Sequence, residues 1–393
     1  MFIIHLGSSG FPKDTTAVLK RIKLTYKGLK AAGCNPLIIS KHSLNQAEES
    51  KRIGRFQGIP YILTSPILTR PDNFIIRKLN RLTGNFAELV LLIRRRKNIY
   101  AAIYSGPSFF EMVLYRFLSK ILGFKLLTQN VEMSSAITYN RKLSTLINAR
   151  LLDNYRFYFC DGIIVISEYL KNRVRSKNKN LPVIKIPAIC DFEEFNLPGN
   201  TAYDEYLMYC GAIGYFSVIE FIIDLYCKLR ESNCYGGKLL LAIGGGSNDE
   251  KLSFNLQKKI NECEFKNSII LKTDVPHEEL INIYLGAELL IVPMRNVLQD
   301  IAGFHHKVGE YCAAKKPIIS NNLGEMNFYF KDGISAILAE EFTIESYLEK
   351  LSEILPFKDK LKLIAEEGHQ IGIEKLNYLC YGKELKQFID NLV

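Results

Sequence analysis

Short apolar runs alternate with longer mixed segments along the first half of the chain. Residues 2–6 (FIIHL) have the composition of a strand, and residues 16–33 carry apolar side chains at helical spacing up to Gly33, a residue suited to ending a helix. Further strands or helices are predicted at 36–40, 99–105, 110–123, 125–130, 162–167, 168–176 and 183–187. This alternation predicts parallel strands joined by helices.

The same alternation starts again after a polar segment, 196–205, whose Gly, Pro and Asn residues indicate a linker. Strands or helices are then predicted at 206–211, 217–231, 238–246, 268–272, 277–287, 288–293, 307–315 and 317–321. The chain is therefore expected to form two doubly wound, Rossmann-like α/β domains, residues 1–195 and 196–372. Two such domains in tandem leave a cleft for a small molecule beyond the carboxyl ends of their strands.

The composition of the chain indicates where in the cell the protein is located. The 393 residues, 48% of them apolar, are enough for two cores. The nine cysteines are odd in number, scattered and never spaced C-x-x-C, which predicts reduced thiols with neither a disulfide framework nor a zinc site. No segment reaches the roughly 18 apolar residues of a membrane span, and residues 2–6 lack the length and basic flank of a signal peptide. We therefore expect a cytoplasmic protein.

Charge is distributed unevenly between the two halves. Residues 1–200 carry 31 Lys and Arg against 13 Asp and Glu, a balance of +18, whereas residues 201–393 have a balance of −8. The basic half indicates an anionic partner, although a solvated basic surface without a partner is the alternative. Nucleic acid is not expected, because aromatic and basic residues do not interleave.

The anionic partner expected from this charge is the inner face of the plasma membrane, to which the N-terminal domain would attach peripherally. The densest basic patches are Arg77, Lys78, Arg81 and Arg94 to Lys97. The apolar run 86–93 directly precedes the last of these patches, and it also fits a helix that packs on the sheet. On that interpretation, only its charged end needs to touch lipid.

The segment 304–330 (FHHKVGEYCAAKKPIISNNLGEMNFYF) carries the most informative chemistry. Lys307 and Glu310 lie three positions apart near the start of a predicted helix, so they share a face. A helix amino terminus favours phosphate, Lys307 adds a full positive charge, and Glu310 can accept hydrogen bonds from a ribose diol. Gly303 upstream lets the backbone approach a ligand closely. The alternative is a surface ion pair on a capped helix.

This segment, continued to Leu338, resembles the nucleotide-binding region of GT-B glycosyltransferases, especially the retaining enzymes of family 4. The matching elements are Lys307, Glu310, Pro317, Asp332–Gly333 and Leu338. Further resemblance, in the order and spacing typical of that family, lies at 161–174 (DGIIVISEYLKNRV), 183–195, 206–214 (YLMYCGAIG), 239–246 (LLLAIGGG) and 376–392. The resemblance implies that residues 1–195 bind the acceptor, that 196–372 bind a nucleotide sugar, and that the helix in 373–393 returns to the N-terminal domain.

The sequence also departs from the family pattern. Many relatives carry two glutamates separated by seven residues, and Ala302 stands where the first would fall. Ala212 and Ser217 stand near the places of an Arg and a Lys that brace the diphosphate, and Gln129 stands near the place of a His. The chain is therefore a divergent member. Asp300 is a candidate substitute for the missing carboxylate.

The resemblance and the local chemistry together define a candidate site. Lys307 and Gln129 are the expected catalytic residues. The expected substrate-binding residues are Glu310, Gly303, Phe304, His305, His306, Arg295, Gly211, Gly244 and Gly10. Arg295 would share the diphosphate charge with Lys307. No metal and no cofactor are expected, since the Asp-x-Asp pattern of metal-dependent glycosyltransferases does not occur.

The expected reaction moves a sugar from a nucleotide diphosphate sugar to a saccharide or a polyprenyl-phosphate-linked acceptor in cell-surface polysaccharide synthesis. A UDP-sugar is favoured as donor and a GDP-sugar comes second. The resemblance implies retention at the anomeric carbon. A catalytically inactive, nucleotide-sugar-binding partner subunit is the alternative, and the losses at Ala302 and Gln129 favour it.

Overall fold

The computed structural model describes residues 2–8, 10–12, 16–41, 43, 51–136, 142–197, 205–245 and 249–392. The chain divides into two compact units. The first comprises Met1–Ile189 together with Tyr378–Val393, and the second comprises Cys190–Asn377. The segment 190–195, assigned to the first domain from the sequence, thus lies in the second unit.

The first unit is an eight-stranded sheet flanked by helices. Its elements are β1 (Phe2–Ser8), α1 (Ala17–Ala31), β2 (Asn35–Ser40), β3 (Ile53–Phe56), β4 (Ile59–Leu63), α2 (Phe74–Arg95), β5 (Ile99–Tyr104), α3 (Phe109–Leu122), β6 (Lys125–Asn130), α4 (Leu143–Tyr155), β7 (Gly162–Val165), α5 (Glu168–Lys177) and β8 (Val183–Lys185). The strand order is β3-β4-β2-β1-β5-β6-β7-β8. The strand pairs are parallel except β3 with β4, which is antiparallel.

The second unit is a six-stranded parallel sheet flanked by helices. Its elements are β9 (Tyr206–Ala212), α6 (Phe216–Glu231), β10 (Lys238–Gly244), α7 (Glu250–Glu262), β11 (Ile269–Thr273), α8 (His277–Gly286), β12 (Leu289–Ile291), α9 (Leu298–Ala302), α10 (His306–Ala313), β13 (Ile318–Asn321), α11 (Gly324–Tyr329), β14 (Ile337–Ala339), α12 (Ile344–Ile354) and α13 (Lys358–Lys375). The strand order is β11-β10-β9-β12-β13-β14, with every pair parallel. Both sheets thus confirm the predicted fold class.

Local signals in the sequence explain where these helices begin and end. The Thr16 hydroxyl accepts a hydrogen bond from the backbone of Leu19 and caps α1, and Ser108 and Ser167 cap α3 and α5 in the same way. Gly123 ends α3 in the left-handed conformation, with φ of 81°. These caps lie at the ends of three helices that the apolar spacing predicted.

Each face of the first sheet has its own apolar core. On one face, Ile3, Ile38 and Ala101 pack with residues of α1 and of a final helix, α14 (Tyr378–Asp390). A Cβ added to Gly28 of α1 would stand 3.1 Å from the Tyr378 carbonyl, so a glycine permits this close approach. On the other face, the sheet packs with the inner residues of α2, α3 and α4.

One expectation about the cysteines is wrong. The structure joins Cys227 of α6 to Cys263, which follows α7, in a disulfide. The two helices pack together, and the Cα atoms are 6.7 Å apart, within the range that a disulfide can bridge. The other seven cysteines are not joined in a disulfide. Cys227 and Cys263 are 36 residues apart in the sequence. Because the cysteines show no regular spacing, the sequence did not indicate that these two would be paired.

Candidate functional site

The order of strands locates the candidate site in the second unit. From β9 the chain runs outward through β10 to β11, and then returns to β12 on the opposite side of β9. The carboxyl ends of β9 and β12 therefore flank a point where the strand order reverses. In open α/β sheets such a point opens a crevice in which ligands bind.

Lys307 and Glu310 lie on α10, which begins at His306. The Lys307 ammonium donates to the Glu310 carboxylate at 3.0 Å and to the hydroxyl of Tyr284 on α8 at 2.9 Å. The Glu310 side chain is only 9% exposed and that of Lys307 is 27% exposed. Both side chains of a surface ion pair would be largely exposed to solvent. The geometry therefore favours a mostly buried pair, of which Lys307 remains partly accessible, over the surface ion pair considered from the sequence.

Two buried tyrosine rings pack near the Lys307–Glu310 pair. Tyr284 and Tyr311 are buried and meet edge to face, with ring centroids 5.2 Å apart. The Tyr311 hydroxyl accepts a hydrogen bond from the backbone of Cys210, at the carboxyl end of β9, which ties α10 to the sheet. Burial by itself would lower the pKa of Lys307, but Cys210 and Glu310 raise it above its ordinary value. Lys307 therefore remains a cation at neutral pH.

Arg295 lies just beyond the end of β12 and is held by Asp300. The guanidinium donates to both carboxylate oxygens, at 2.9 and 3.0 Å, and the Arg295 backbone donates to the same carboxylate at 2.8 Å. This bidentate hydrogen bonding raises the pKa of Arg295. The Asp300 side chain is 2% exposed, and Arg295 occupies both of its oxygens. Asp300 thus holds Arg295 in place and is not available to replace the carboxylate missing at Ala302.

Tyr215, which follows β9, completes the surroundings of Arg295. The guanidinium lies 5.1 Å from the centre of the Tyr215 ring, and Gln299 donates to the Tyr215 hydroxyl at 3.1 Å. His305 meets the other edge of that ring, with centroids 6.2 Å apart. A cation stacked on an aromatic ring loses side-chain freedom, so Arg295 is preorganised.

Three expected residues, Gly303, Phe304 and His305, form the loop before α10, and a fourth, His306, begins that helix. Phe304 is buried and stacks on Tyr329, and Gly303 approaches the Gln299 carbonyl so closely that an added Cβ would lie 3.1 Å from it. Burial lowers the pKa of His305, and its Nε2 has no hydrogen-bond partner among the residues that the structure describes. His306 is the first residue of α10 and is half-buried.

Two glycines at neighbouring strand ends complete the site in the second unit. Gly211 on β9 and Gly244 on β10 are both half-buried. A Cβ at Gly211 would collide with the ring of Tyr209, whereas one at Gly244 would meet nothing closer than 4.0 Å. The third glycine of the 244–246 run lies outside the described residues.

The remaining two expected residues belong to the first unit. Gly10 follows β1 with φ of 90°, a conformation that favours glycine. Gln129 lies near the carboxyl end of β6 and is buried. Its side-chain nitrogen, the side-chain oxygen of Asn130 and the hydroxyl of Ser105 have no hydrogen-bond partner within the described part of the chain. These atoms lie at or just beyond the ends of two adjacent strands.

Sequence reasoning missed the residues that support the charged groups. Tyr284 and Tyr311 lie in helices that the sequence predicted without giving either residue a role, and Tyr215 lies in the segment after β9. An aromatic residue directly after the glycines of a strand end is a signal that could have singled out Tyr215. No comparable signal marks Tyr284, because its contact with Lys307 joins residues 23 positions apart.

Comparison with known proteins shows what the region around this site is similar to. Residues 195–370 match the family model for glycosyl transferases group 1. Within that range the chain is similar to glycosyl transferases, and the two parallel sheets of the chain have the GT-B fold. An uncharacterized glycosyltransferase of Methanocaldococcus jannaschii is 24% identical over 233 residues, which span 58% of this chain and 60% of that relative.

Solved structures support the GT-B fold over the whole chain. Sucrose-phosphate synthase from Thermosynechococcus elongatus superposes with a TM-score of 0.73 and 14% identity, covering 100% of this chain and 98% of that one. Anabaena HepE in complex with UDP-glucose gives a TM-score of 0.70 and 13% identity, with both chains covered completely. At these identities the likeness of the chain to its structural neighbours concerns the fold.

Proposed function

We propose that this chain is a glycosyltransferase that moves a sugar from a nucleotide diphosphate sugar to a saccharide or lipid-linked saccharide acceptor in cell-surface polysaccharide synthesis. A UDP-sugar is the first choice of donor, because a GT-B neighbour, Anabaena HepE, was solved with UDP-glucose. A GDP-sugar comes second. The observation that carries the proposal is the Lys307–Glu310 pair near the amino terminus of α10, within the region that matches the family model.

The charges of the second unit suit departure of a nucleoside diphosphate. As the bond between sugar and diphosphate breaks, negative charge grows on the leaving oxygen, and fixed positive groups stabilise it. Lys307 and the first backbone N–H groups of α10 would supply that charge, and the preorganised Arg295 would be a further cation. Glu310 would accept from the ribose hydroxyls. The reaction would proceed with retention and without a metal.

The acceptor is proposed to bind the first unit. Gln129, Asn130 and Ser105 present buried polar atoms that have no partner among the described residues, near the ends of β5 and β6. A hydroxyl-rich acceptor could satisfy them, whereas leaving them unpaired costs free energy. Gln129 would hold the reacting hydroxyl, and Gly10 would border the same edge of the sheet.

A thermal-shift screen tests the donor proposal. The protein is mixed with a panel of UDP-sugars and GDP-sugars, with UDP and uridine as references. A ligand at 100 times its dissociation constant stabilises the folded state by about 2.7 kcal/mol, which shifts the unfolding temperature measurably. Stabilisation by one nucleotide sugar and by its nucleoside diphosphate is the expected result. The donor assignment is wrong if no member of the panel shifts the transition.

A catalytically inactive partner subunit is the second candidate, favoured by the burial of Ala302. Its methyl group is fully buried where many relatives carry a carboxylate, and Asp300 cannot substitute for it. Both candidates bind a nucleotide sugar, so the binding screen does not separate them. Slow release of free sugar from the donor, or transfer to a lipid extract, would identify the enzyme.

We also propose that the enzyme works as a cytoplasmic protein attached to the inner face of the plasma membrane, where a polyprenyl-phosphate-linked acceptor would lie. No helix among the described residues is long and apolar enough to cross a membrane. The support is the excess of basic residues in the first unit, since each Lys or Arg near an anionic leaflet contributes about 1 kcal/mol. Sedimentation with anionic and neutral vesicles tests it, and equal binding to both would contradict it.

A further inference from the structure

Helix α2 reverses the usual arrangement of an amphipathic helix. Its buried positions are Asn80, Gly84, Glu88 and Leu92, of which only the last is a large apolar residue. The Asn80 side chain bonds to both backbone groups of Ile67, at 2.8 and 2.9 Å, so its polar atoms are satisfied inside the unit. The polar side of this helix thus faces the protein.

The outer side of α2 is apolar. Five large apolar residues, each between 46% and 68% exposed, follow one another at spacings of 3, 4 or 7 positions and therefore form one row. These residues are Ile75, Leu79, Leu82, Phe86 and Ile93. The sequence alone suggests a helix that packs on the sheet and needs to touch lipid only at its charged end, but Phe86 and Ile93 are both exposed.

Helix α3 carries a second row of the same kind. Its residues are between 54% and 72% exposed, and their spacings of 4, 3 and 4 positions place them on one side of the helix. They are Phe110, Leu114, Phe117 and Ile121. Helices α2 and α3 are neighbours, because Tyr115 of α3 donates a short hydrogen bond to Glu88 of α2. Exposed apolar surface of this extent marks an interaction site.

The charged residues of this face have one sign. The single carboxylates of α2, α3 and α4 are Glu88, Glu111 and Asp153, which are all turned inward, with side chains 3%, 17% and 1% exposed. The exposed charged residues on the same helices are all basic: Lys78, Arg81, Arg94, Lys120 and Arg150. A surface that contacts only solvent usually carries both acidic and basic side chains.

We propose that the outer rows of α2 and α3 enter the headgroup and upper acyl region of an anionic bilayer. Apolar side chains bordered by Lys and Arg, without an exposed carboxylate, are the features of a helix that lies in a membrane interface. A second copy of the chain fits this face poorly, because pairing it with itself would bring its basic residues together. This inference deepens the proposed membrane attachment by adding insertion of apolar groups to charge attraction.

The absence of tryptophan from the sequence gives a direct test. Phe117→Trp and Phe86→Trp each place a single fluorophore in one row. Phe254→Trp is the matched control, because Phe254 is 70% exposed on α7 of the second unit. The probe is vesicles of phosphatidylcholine and phosphatidylglycerol that carry bromine on the acyl chains. Both row variants should shift to shorter emission wavelengths and be quenched by the brominated chains, whereas the control should do neither.

Two outcomes overturn the proposal. One is a row fluorophore that neither shifts nor is quenched by vesicles that bind the protein. The other is emission that is already blue-shifted without lipid and depends on protein concentration, which would assign the face to a second copy. In co-sedimentation, Phe86→Gln and Phe117→Gln should each weaken binding about tenfold, and Phe254→Gln should not.

Two controls separate this proposal from the proposed function. If charge alone held the protein, salt near 1 M would release nearly all of it, because screening then acts within about 3 Å. Insertion of apolar side chains predicts that a fraction of the protein stays bound near 1 M salt. The variant that combines Phe86→Gln and Phe117→Gln should lose this fraction. The thermal shift with nucleotide sugars should be unchanged in the row variants, so each proposal can fail while the other stands.

Discussion

Each unit of the chain holds a lysine that donates to a glutamate and to a tyrosine, and the two clusters differ in what surrounds them. In the second unit, Lys307 donates to Glu310 and Tyr284. In the first unit, Lys41 follows β2 and donates to Glu111 and, at 2.9 Å, to Tyr115 of α3. Both clusters lie near the carboxyl ends of parallel strands.

Exposure and charge balance separate them. The Lys307 side chain is 27% exposed near the start of α10, where the Glu310 carboxylate pairs with it at 3.0 Å. The Lys41 side chain is 5% exposed and lies near a second carboxylate, Glu88, at 3.9 Å. The charge of Lys41 is therefore neutralised by largely buried carboxylates of the protein, whereas Lys307 is accessible enough to bind an anion. The same residue types form the proposed binding pair in one unit and a structural tie between α2 and α3 in the other.

The largest expected effect is on stability, at Lys41. Lys41→Met leaves Glu88 and Glu111 without their cation in a buried place, and breaking such a pair costs about 3–5 kcal/mol. Chemical unfolding should show this loss, while nucleotide affinity of the folded protein stays unchanged. The triple variant Lys41→Met, Glu88→Gln, Glu111→Gln removes both charge signs and should recover part of the stability. A Lys41→Met protein as stable as the parent would contradict the assigned role.

Lys307→Ala should affect binding instead. Losing a charge-assisted contact to the diphosphate costs about 1.5–3 kcal/mol, so we expect a loss of UDP affinity of about 10- to 100-fold, with Arg295 as the cation that remains. Uridine has no phosphate, so its affinity should change little. Calorimetry with both ligands measures the difference, and Lys350→Ala, which removes a lysine paired with Asp332, is the control. Equal losses for UDP and uridine would show that Lys307 is not at the phosphates.

Glu310→Ala should weaken both UDP and uridine, since the carboxylate is assigned to the ribose that they share. The expected loss is about tenfold or somewhat more, the value of one hydrogen bond to a charged group. Glu310→Gln keeps the shape and should lose less. Circular dichroism should show both variants folded. Unchanged affinity for uridine in Glu310→Ala would remove Glu310 from the ribose site.

The sequence predicted most of the fold because its local signals agree with one another. Apolar spacing, the caps at Thr16, Ser108 and Ser167, and the strand-helix order all point to two parallel sheets, and the structure has them. Helix α2 was predicted only in part, since the run 86–93 fits a helix packing on the sheet. Its interior positions include Asn80 and Glu88 and its outer row is apolar, so a rule that places apolar residues inside assigns no clear face to it.

The candidate site was only partly predictable for a related reason. Lys307 and Glu310 are three residues apart on a helix, so their pairing follows from helical geometry. Arg295 and Asp300 pair through a turn whose course the sequence does not reveal, and Asp300 was therefore considered as a substitute for the carboxylate missing at Ala302. The support of Lys307 by Tyr284 depends on tertiary packing, which periodicity does not report.

The smallest expected effect is a pH dependence that only the cluster of the first unit should show. Burial raises the pKa of Glu88 to about 7, although Lys41 and a hydrogen bond from Tyr115 act against this rise. An unfolded glutamate titrates near its ordinary pKa of about 4.3. Between these values the folded chain binds more protons than the unfolded chain, so stability should fall as pH rises.

From about pH 5.5 to about pH 6.5 this fall should be about 1 kcal/mol, because one pH unit corresponds to at most about 1.4 kcal/mol per proton. The measurement is the free energy of unfolding in urea at both pH values, for the parent and for Glu88→Gln, which cannot titrate. Other groups contribute equally to both proteins, so the difference isolates Glu88. If the free energy of unfolding changes with pH equally in the parent and in Glu88→Gln, Glu88 is ionised in the folded state. The cluster of the first unit would then hold charged carboxylates, as the Lys307 cluster does.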